Sequence, residues 1–150
     1  MPILKQVIIQ QLIHRILQLQ SDSKGRWGKM TIEEMMVHCT AGIQMGLGQL
    51  PSKERVGPLR AAILRLLYVD LFPFPKSATA PPEINISKKL KTRQEFENAR
   101  QSLIQEVKKL EAIPDNYEFP FHPYFRKLSN KQWSKVTYKH LDHHLRQFGV

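Results

Sequence analysis

The chain has 150 residues, 41% hydrophobic and 24% charged, which favours one domain spanning residues 1–150 around a single core and argues against a disordered or fibrous protein. No apolar run reaches the ~20 residues that span a bilayer, the start Met1-Pro2-Ile3-Leu4-Lys5 lacks the layout of a signal peptide, and the lone Cys39 cannot close an internal disulfide, so a cytoplasmic protein without a membrane partner is expected. The balance of 23 Lys+Arg against 13 Asp+Glu gives a net charge of +10, a bias toward anionic partners in which nucleic acid must be weighed, but the basic residues are dispersed as on a solvated surface.

Residues 2–20 have helical periodicity, with Leu4, Val7, Ile8, Leu12, Ile16 and Leu19 at three-and-four spacing and Lys5, Gln6 and Arg15 between them. His14 has no histidine neighbour at ligand spacing and is expected at the surface. The stretch from Ser21 to Gly28 is turn chemistry. Thr31-Ile32-Glu33-Glu34 then forms a capping box, with Met30 and Met35 placed as a hydrophobic staple. In the helix that follows, Met35, His38, Gly42 and Met45 share one face, so a histidine sits in an apolar stripe. Gly42, Gly46 and Gly48 weaken this helix by propensity; they are expected to serve close packing or to leave room for something bound. Cys39 lies on the neighbouring face, where a buried, inert thiol is expected rather than a nucleophile.

From Val56 to Phe72 a third helix is expected, with Pro58 in its first turn and Leu59, Ala62, Ile63, Leu66, Leu67 and Val69 as its stripe. Pro73, Pro75, Pro81 and Pro82 keep the next stretch, to Ser87, irregular. A connection this long is either functional or wrapped on the core. Thr92-Arg93-Gln94-Glu95 is a second capping box, opening a helix to Ile113 whose buried face carries Phe96, Ala99, Leu103, Val107 and Leu110, with Glu106, Lys108, Lys109 and Glu111 outside. Tyr117 to Leu128 is rich in aromatics and held extended or turned by Pro120 and Pro123; it reads as a lid or as a segment packed on the helices, and His122 within it is a secondary site candidate.

The last helix, Ser129 to Phe148, is opened by a third capping box, Ser129 with Gln132. Trp133, Val136, Leu141 and Phe148 make its apolar face, and His140 and His144, one turn apart, lie in the middle of it. Lys131, Lys135, Lys139, Asp142 and Arg146 mark the opposite face as solvent, with His143 at the edge and Gln147 close to the stripe. The fold class is therefore all-α: a four-helix bundle with an additional short helix and a long Pro-rich loop. No stretch alternates convincingly over strand length.

His38, His140 and His144 are the candidate metal ligands. Imidazoles in a core-facing stripe are costly unless their nitrogens are satisfied, and imidazole suits Zn, Ni, Cu or Fe. Three protein ligands would leave coordination positions open, as in a catalytic site. Hydrogen bonding within a structural core would satisfy the same nitrogens, so both readings stand at this point. Glu-x-x-His and His-Glu-x-x-His are absent, which argues against a ferritin-like di-iron centre and a zincin protease; nor is there a Gly-rich phosphate loop or a nucleophile singled out for a serine triad.

Trp27-Gly28-Lys29-Met30, Glu34-Met35-Met36-Val37-His38, His122-Pro123-Tyr124-Phe125, and Trp133 followed by Lys139-His140-Leu141-Asp142-His143-His144-Leu145-Arg146-Gln147-Phe148 resemble the DinB-like superfamily of metal-binding four-helix bundles, in a branch labelled a domain of unknown function. The similarity runs in order along most of the chain, and its last motif is the most specific. It implies one metal-binding histidine on the second helix and two on the last, at His38, His140 and His144. This branch often has Gly after the Phe, where this chain has Arg126. Relatives include thiol-dependent S-transferases and a mycothiol-dependent isomerase. The resemblance thus implies a divalent ion, zinc or nickel, a low-molecular-weight thiol and an electrophile as partners, and pairing as a homodimer. Metal-assisted hydrolysis is the alternative enzymatic reading, disfavoured because Asp142 points away from the histidine stripe. A non-catalytic, basic nucleic-acid-binding or interaction module is the third.

Overall fold

A computed structural model describes residues 5–76, 78–85 and 93–150, with the side chain of Arg93 left out. Among these residues the regular structure is all helical. Helix α1 is Gln6–Gln18, α2 Ile32–Gly46, α3 Pro58–Leu64, α4 Arg93–Lys109 and α5 Asn130–Gln147. A π-helical segment, Arg65–Leu71, continues α3, and single 3-10 turns occupy Pro82–Ile84 and Leu110–Ala112.

The ends of these helices follow from local chemistry. Thr31 accepts from the Glu34 backbone N–H and Glu34 reaches back to the Thr31 N–H, so two otherwise orphaned donors are satisfied at the start of α2. Ser129 and Gln132 do the same for α5. Pro58 occupies the first turn of α3, where its missing N–H costs nothing. The Thr92 capping box and residues 1–4 of the expected first helix lie outside the described residues.

Four helices supply the main core: α1 packs on α4 and α5, and α2 packs on the same two. Ile9, Leu12 and Ile16 of α1 meet Met35, Met36 and Cys39 of α2, Leu103 and Val107 of α4, and Leu141 and Leu145 of α5. A smaller cluster of Val69, Phe125, Leu128, Trp133 and Val136 joins the π segment and the aromatic segment to the outer half of α5. Arg15 ties α1 to the end of α5, donating to Asp142 and to the Val150 carbonyl at 2.8 Å each.

Several expectations are corrected. In α1 the buried stripe is Ile9, Leu12, Ile13 and Ile16, and Val7 is 66% exposed. That sequence is apolar in more than one helical phase, and contact with α4 and α5 selects the phase. In the third segment most of the predicted stripe faces outward: Leu59, Ala62, Ile63 and Leu66 are exposed; of its members Val69 is buried as expected, and Ala61, outside the stripe, is buried as well. The wider π turn rotates the later residues relative to α3, which a uniform 3.6-residue period does not anticipate. Glu106 is buried, not exposed, and is held by Lys109 at 2.7 Å and Gln44 at 3.2 Å. Lys139, placed on the solvent face, donates to the carbonyls of Tyr68, Val69 and Phe72 at 2.8 to 3.0 Å, closing the end of the π segment.

Candidate metal centre

Helices α2 and α5 cross so that His38 of one faces His140 and His144 of the other. The ring centroids are 4.8 Å apart for His38 and His140, 4.7 Å for His38 and His144, and 4.9 Å for His140 and His144. One ligand nitrogen from each can be chosen so that all lie within 4.8 Å of one another. The close approach depends on Gly42, one turn after His38. A Cβ there would stand 2.8 Å from His140 Cε1 and 3.0 Å from its Nδ1. Of the two expected roles, Gly42 has that of close packing, against the His140 ring.

The hydrogen bonds fix which nitrogen each ring presents. His38 Nδ1 is 2.6 Å from the Ile84 carbonyl oxygen. A carbonyl only accepts, so Nδ1 carries the proton and Nε2 keeps its lone pair. His144 Nδ1 is 2.8 Å from Gln147 Oε1, and Gln147 Nε2 donates to the Trp27 carbonyl at 2.7 Å. That second bond sets the orientation of the amide, so His144 also carries its proton on Nδ1 and presents Nε2. His140 Nε2 lies 2.8 Å from His38 Nε2 and donates to it; with an ion between the rings the His140 proton would sit on Nδ1, which frees both Nε2 lone pairs. Gly28 permits the approach of Gln147: its φ is +77°, and a Cβ would stand 2.7 Å from Gln147 Nε2.

Electrostatics leaves these rings neutral. Burial lowers the pKa of His38, offset in part by its bond to Ile84. Burial and then the nearby His38 push His140 well down, and the same two causes bring His144 to about 3. A neutral imidazole offers the lone pair that a cation requires. Three such rings with two nitrogens held by acceptors fit a metal ion, which places a positive charge where a proton is excluded. The cluster can therefore hold an ion.

These rings form one wall of a cavity of about 850 Å³ between α2, α5, the π segment and the connections at 72–85 and 119–125. The long connection after Phe72 is packed on the helices, as the second of its two expected roles has it. Phe74, Lys76 and residues 78–81 line the cavity, and the Ile84 carbonyl holds His38. His122 lines it too. Its Nδ1 accepts from the backbone N–H groups of Tyr124 and Phe125, its ring stacks on Phe125 at 4.5 Å, and burial brings it to about 3. It is thus a neutral part of the wall rather than a fourth member of the cluster. His143 is half-buried, with its ring 5.5 Å from Trp27. Cys39 is buried against Met35, at 3.7 Å, and its thiol is pushed far up by burial, so it has no role as a nucleophile. His14 is exposed, in contact with Gln18. Another hollow, over α1 from Gln6 to Arg15, has His14 as its one histidine.

The sequence missed Trp27, Tyr68 and Lys76 as cavity residues and the Ile84 carbonyl as a partner of His38. None carries a local signal, since each reaches the cavity through a loop or an irregular turn. Arg126 does carry one. Among the described residues it is the one non-glycine with positive φ, 56°, at the position where the resembling branch often has Gly. The backbone pair His122 N–H to Arg126 O and Arg126 N–H to His122 O, both 2.8 Å, closes that turn, and Glu54 pairs with the Arg126 side chain.

A comparison with family models matches residues 4–149 to the family described as Protein of unknown function (DUF1569). Comparison with the curated proteins finds no match. Comparison with the solved structures finds none either. With nearly its whole length matched, cluster and cavity included, the chain belongs to the DUF1569 family.

Proposed function

We propose that this chain is a divalent-metal-dependent enzyme, built as a DinB-like four-helix bundle, that activates or transfers a low-molecular-weight thiol. The observation that carries the reading is the set of three neutral imidazoles, from His38, His140 and His144, gathered at the wall of a ligand-sized cavity. These residues would hold a zinc or nickel ion. When bound, such an ion supplies a Lewis acid that favours the thiolate over the thiol, and the thiolate is the nucleophile.

The chain's own contribution is positioning and exclusion of water. Ile84 and Gln147 fix two ring orientations. The aromatic walls, among them Tyr68, Phe74, Phe125 and Trp133, give an electrophile an apolar place to lie. Hydrolysis ranks behind because no Asp or Glu is among the described residues lining the cavity, so none of them offers a carboxylate general base there. The buried, unreactive Cys39 suits a cytoplasmic setting in which the thiol is supplied from outside the chain. No helix among the described residues is long and apolar enough to cross a membrane. The homodimer implied by the resemblance would have the exposed apolar residues Leu59, Ile63 and Leu66 to pair through.

Elemental analysis of the purified protein beside His140→Ala tests the site. Stoichiometric divalent metal in the wild type and its loss in the variant are expected; equal metal in both would refute the assignment. Incubating metal-loaded protein with glutathione, bacillithiol or mycothiol and an electrophile tests the chemistry. The expected result is conjugation that stops with chelator; none with any thiol would sink the transferase reading.

A further inference from the structure

The charge pattern of the cavity says what kind of molecule enters it. Among the described residues its charged lining residues are Lys29 and Lys76, and no carboxylate joins them. Among the described residues neither lysine is paired with an acid, although seven other basic side chains make ion pairs with Asp or Glu. Lys76 Nζ instead stands 4.6 Å from the centroid of the Trp27 ring. The His143 ring meets the same indole edge-on at 5.5 Å. Trp27 is itself tied down, since its carbonyl accepts from Gln147. Both lysines are exposed at the edge of the cavity; the indole face attracts the Lys76 ammonium and holds it in place, and with no carboxylate among the described lining residues to cancel it, its charge is available to an anion.

We propose that the cavity is the binding site of a small organic anion: a carboxylate-bearing molecule whose acid group is taken by Lys76, with Lys29 adding to the field, and whose apolar part lies on the Trp27 and Phe74 side chains. The proposal rests on the cavity being the substrate site of the function proposed above, and it narrows that substrate to one with a carboxylate some distance from the reacting atom. The metal ligands and the anion subsite are different residues, so the two can be tested apart.

The probes are naphthalene-2-acetate and its uncharged analogue naphthalene-2-acetamide, titrated calorimetrically into the full chain, once loaded with zinc and once treated with EDTA. The acetate is expected to bind about tenfold tighter than the amide in both preparations, a difference of ~1.4 kcal/mol. Lys76→Met should erase most of that preference and leave the amide affinity and the zinc content unchanged. Raised salt should weaken the acetate alone. Equal affinity for the two probes, failure of the acetate to bind at millimolar concentration, or a preference that survives Lys76→Met would each overturn the proposal. A preference seen only with zinc would also overturn it, since the anion would then be on the metal. Loss of zinc binding in His140→Ala with the preference intact bears on the metal reading and leaves this one standing.

Discussion

Gln147 holds its amide between two partners that cannot be exchanged: the Trp27 carbonyl, which only accepts, and the His144 Nδ1, which must then donate. At this scale the consequence is a ring presented with the right nitrogen. Gln147→Leu removes both bonds while keeping an apolar side chain of similar length in a site 2% exposed. Such supporting partners are worth roughly 10–100-fold in metal affinity, and a loss of that order is expected in competition with a zinc chelator. Gln147→Glu, which keeps an acceptor toward His144, should lose less; equal losses in the two variants would argue that Gln147 acts only by packing. His38, His140 and His144 were legible as a set because an i,i+4 pair and a third histidine all fell on apolar stripes. The part played by Ile84 was not, because a backbone carbonyl has no identity in a sequence and this one lies 46 positions along the chain from His38.

Helix α2 trades intrinsic stability for proximity at Gly42. Glycine inside a helix costs about 1 kcal/mol relative to alanine, yet an alanine Cβ would lie 2.8 Å from His140 Cε1. Gly42→Ala should therefore move two properties in opposite directions: chelator-treated protein melting no lower than wild type, and metal affinity reduced at least ~10-fold as the His140 ring is displaced. A variant that binds metal as tightly as wild type would show that the ring has slack. The π segment offers a second test. Three carbonyls at its end have no helical partner and are satisfied by Lys139. Lys139→Met should cost roughly 1–2 kcal/mol in urea denaturation, with faster amide exchange around Phe72, whose N–H bonds to the Leu67 carbonyl. The same substitution at Lys135, which pairs with Asp70 at the surface, should do much less. The helix starts were readable because caps are local; the change from α to π winding at Arg65 was not, because nothing in the local sequence marks it and the segment it turns packs Val69 with Trp133 and Val136, distant in the chain.

The whole molecule buries several histidines without charging them, and its stability should record that. His122 titrates at about 3 because of burial, against 6.5 for the ordinary side chain. In the unfolded chain it takes up a proton as pH falls through 6.5, while the folded chain refuses one until about 3. The folded state therefore has its full advantage above 6.5 and loses it on acidification through that window, by up to ~1.4 kcal/mol per pH unit. Between pH 7 and pH 5 His122 alone should remove about 2 kcal/mol from the chelator-treated protein. His122→Asn retains an acceptor for the Tyr124 and Phe125 N–H groups but does not titrate, so urea midpoints at the two pH values should converge by that amount relative to wild type. Parallel loss in both proteins would place the acid sensitivity elsewhere.

What the sequence determined by itself is whatever depends on neighbours a few residues away: the capping boxes of α2 and α5, the breaks at proline, the apolar stripe of α5 and the position of two histidines one turn apart on it. The phase of α1, the outward turn of Leu59, Ile63 and Leu66, the burial of Glu106 and the gathering of Trp27, Lys76 and His122 around one cavity were decided only when the helices packed. The physical reason is range. Caps and periodicity follow from bonds within one or two turns, whereas a cavity exists between elements that are distant in the chain, and its chemistry is fixed by which side chains the packing leaves facing one another.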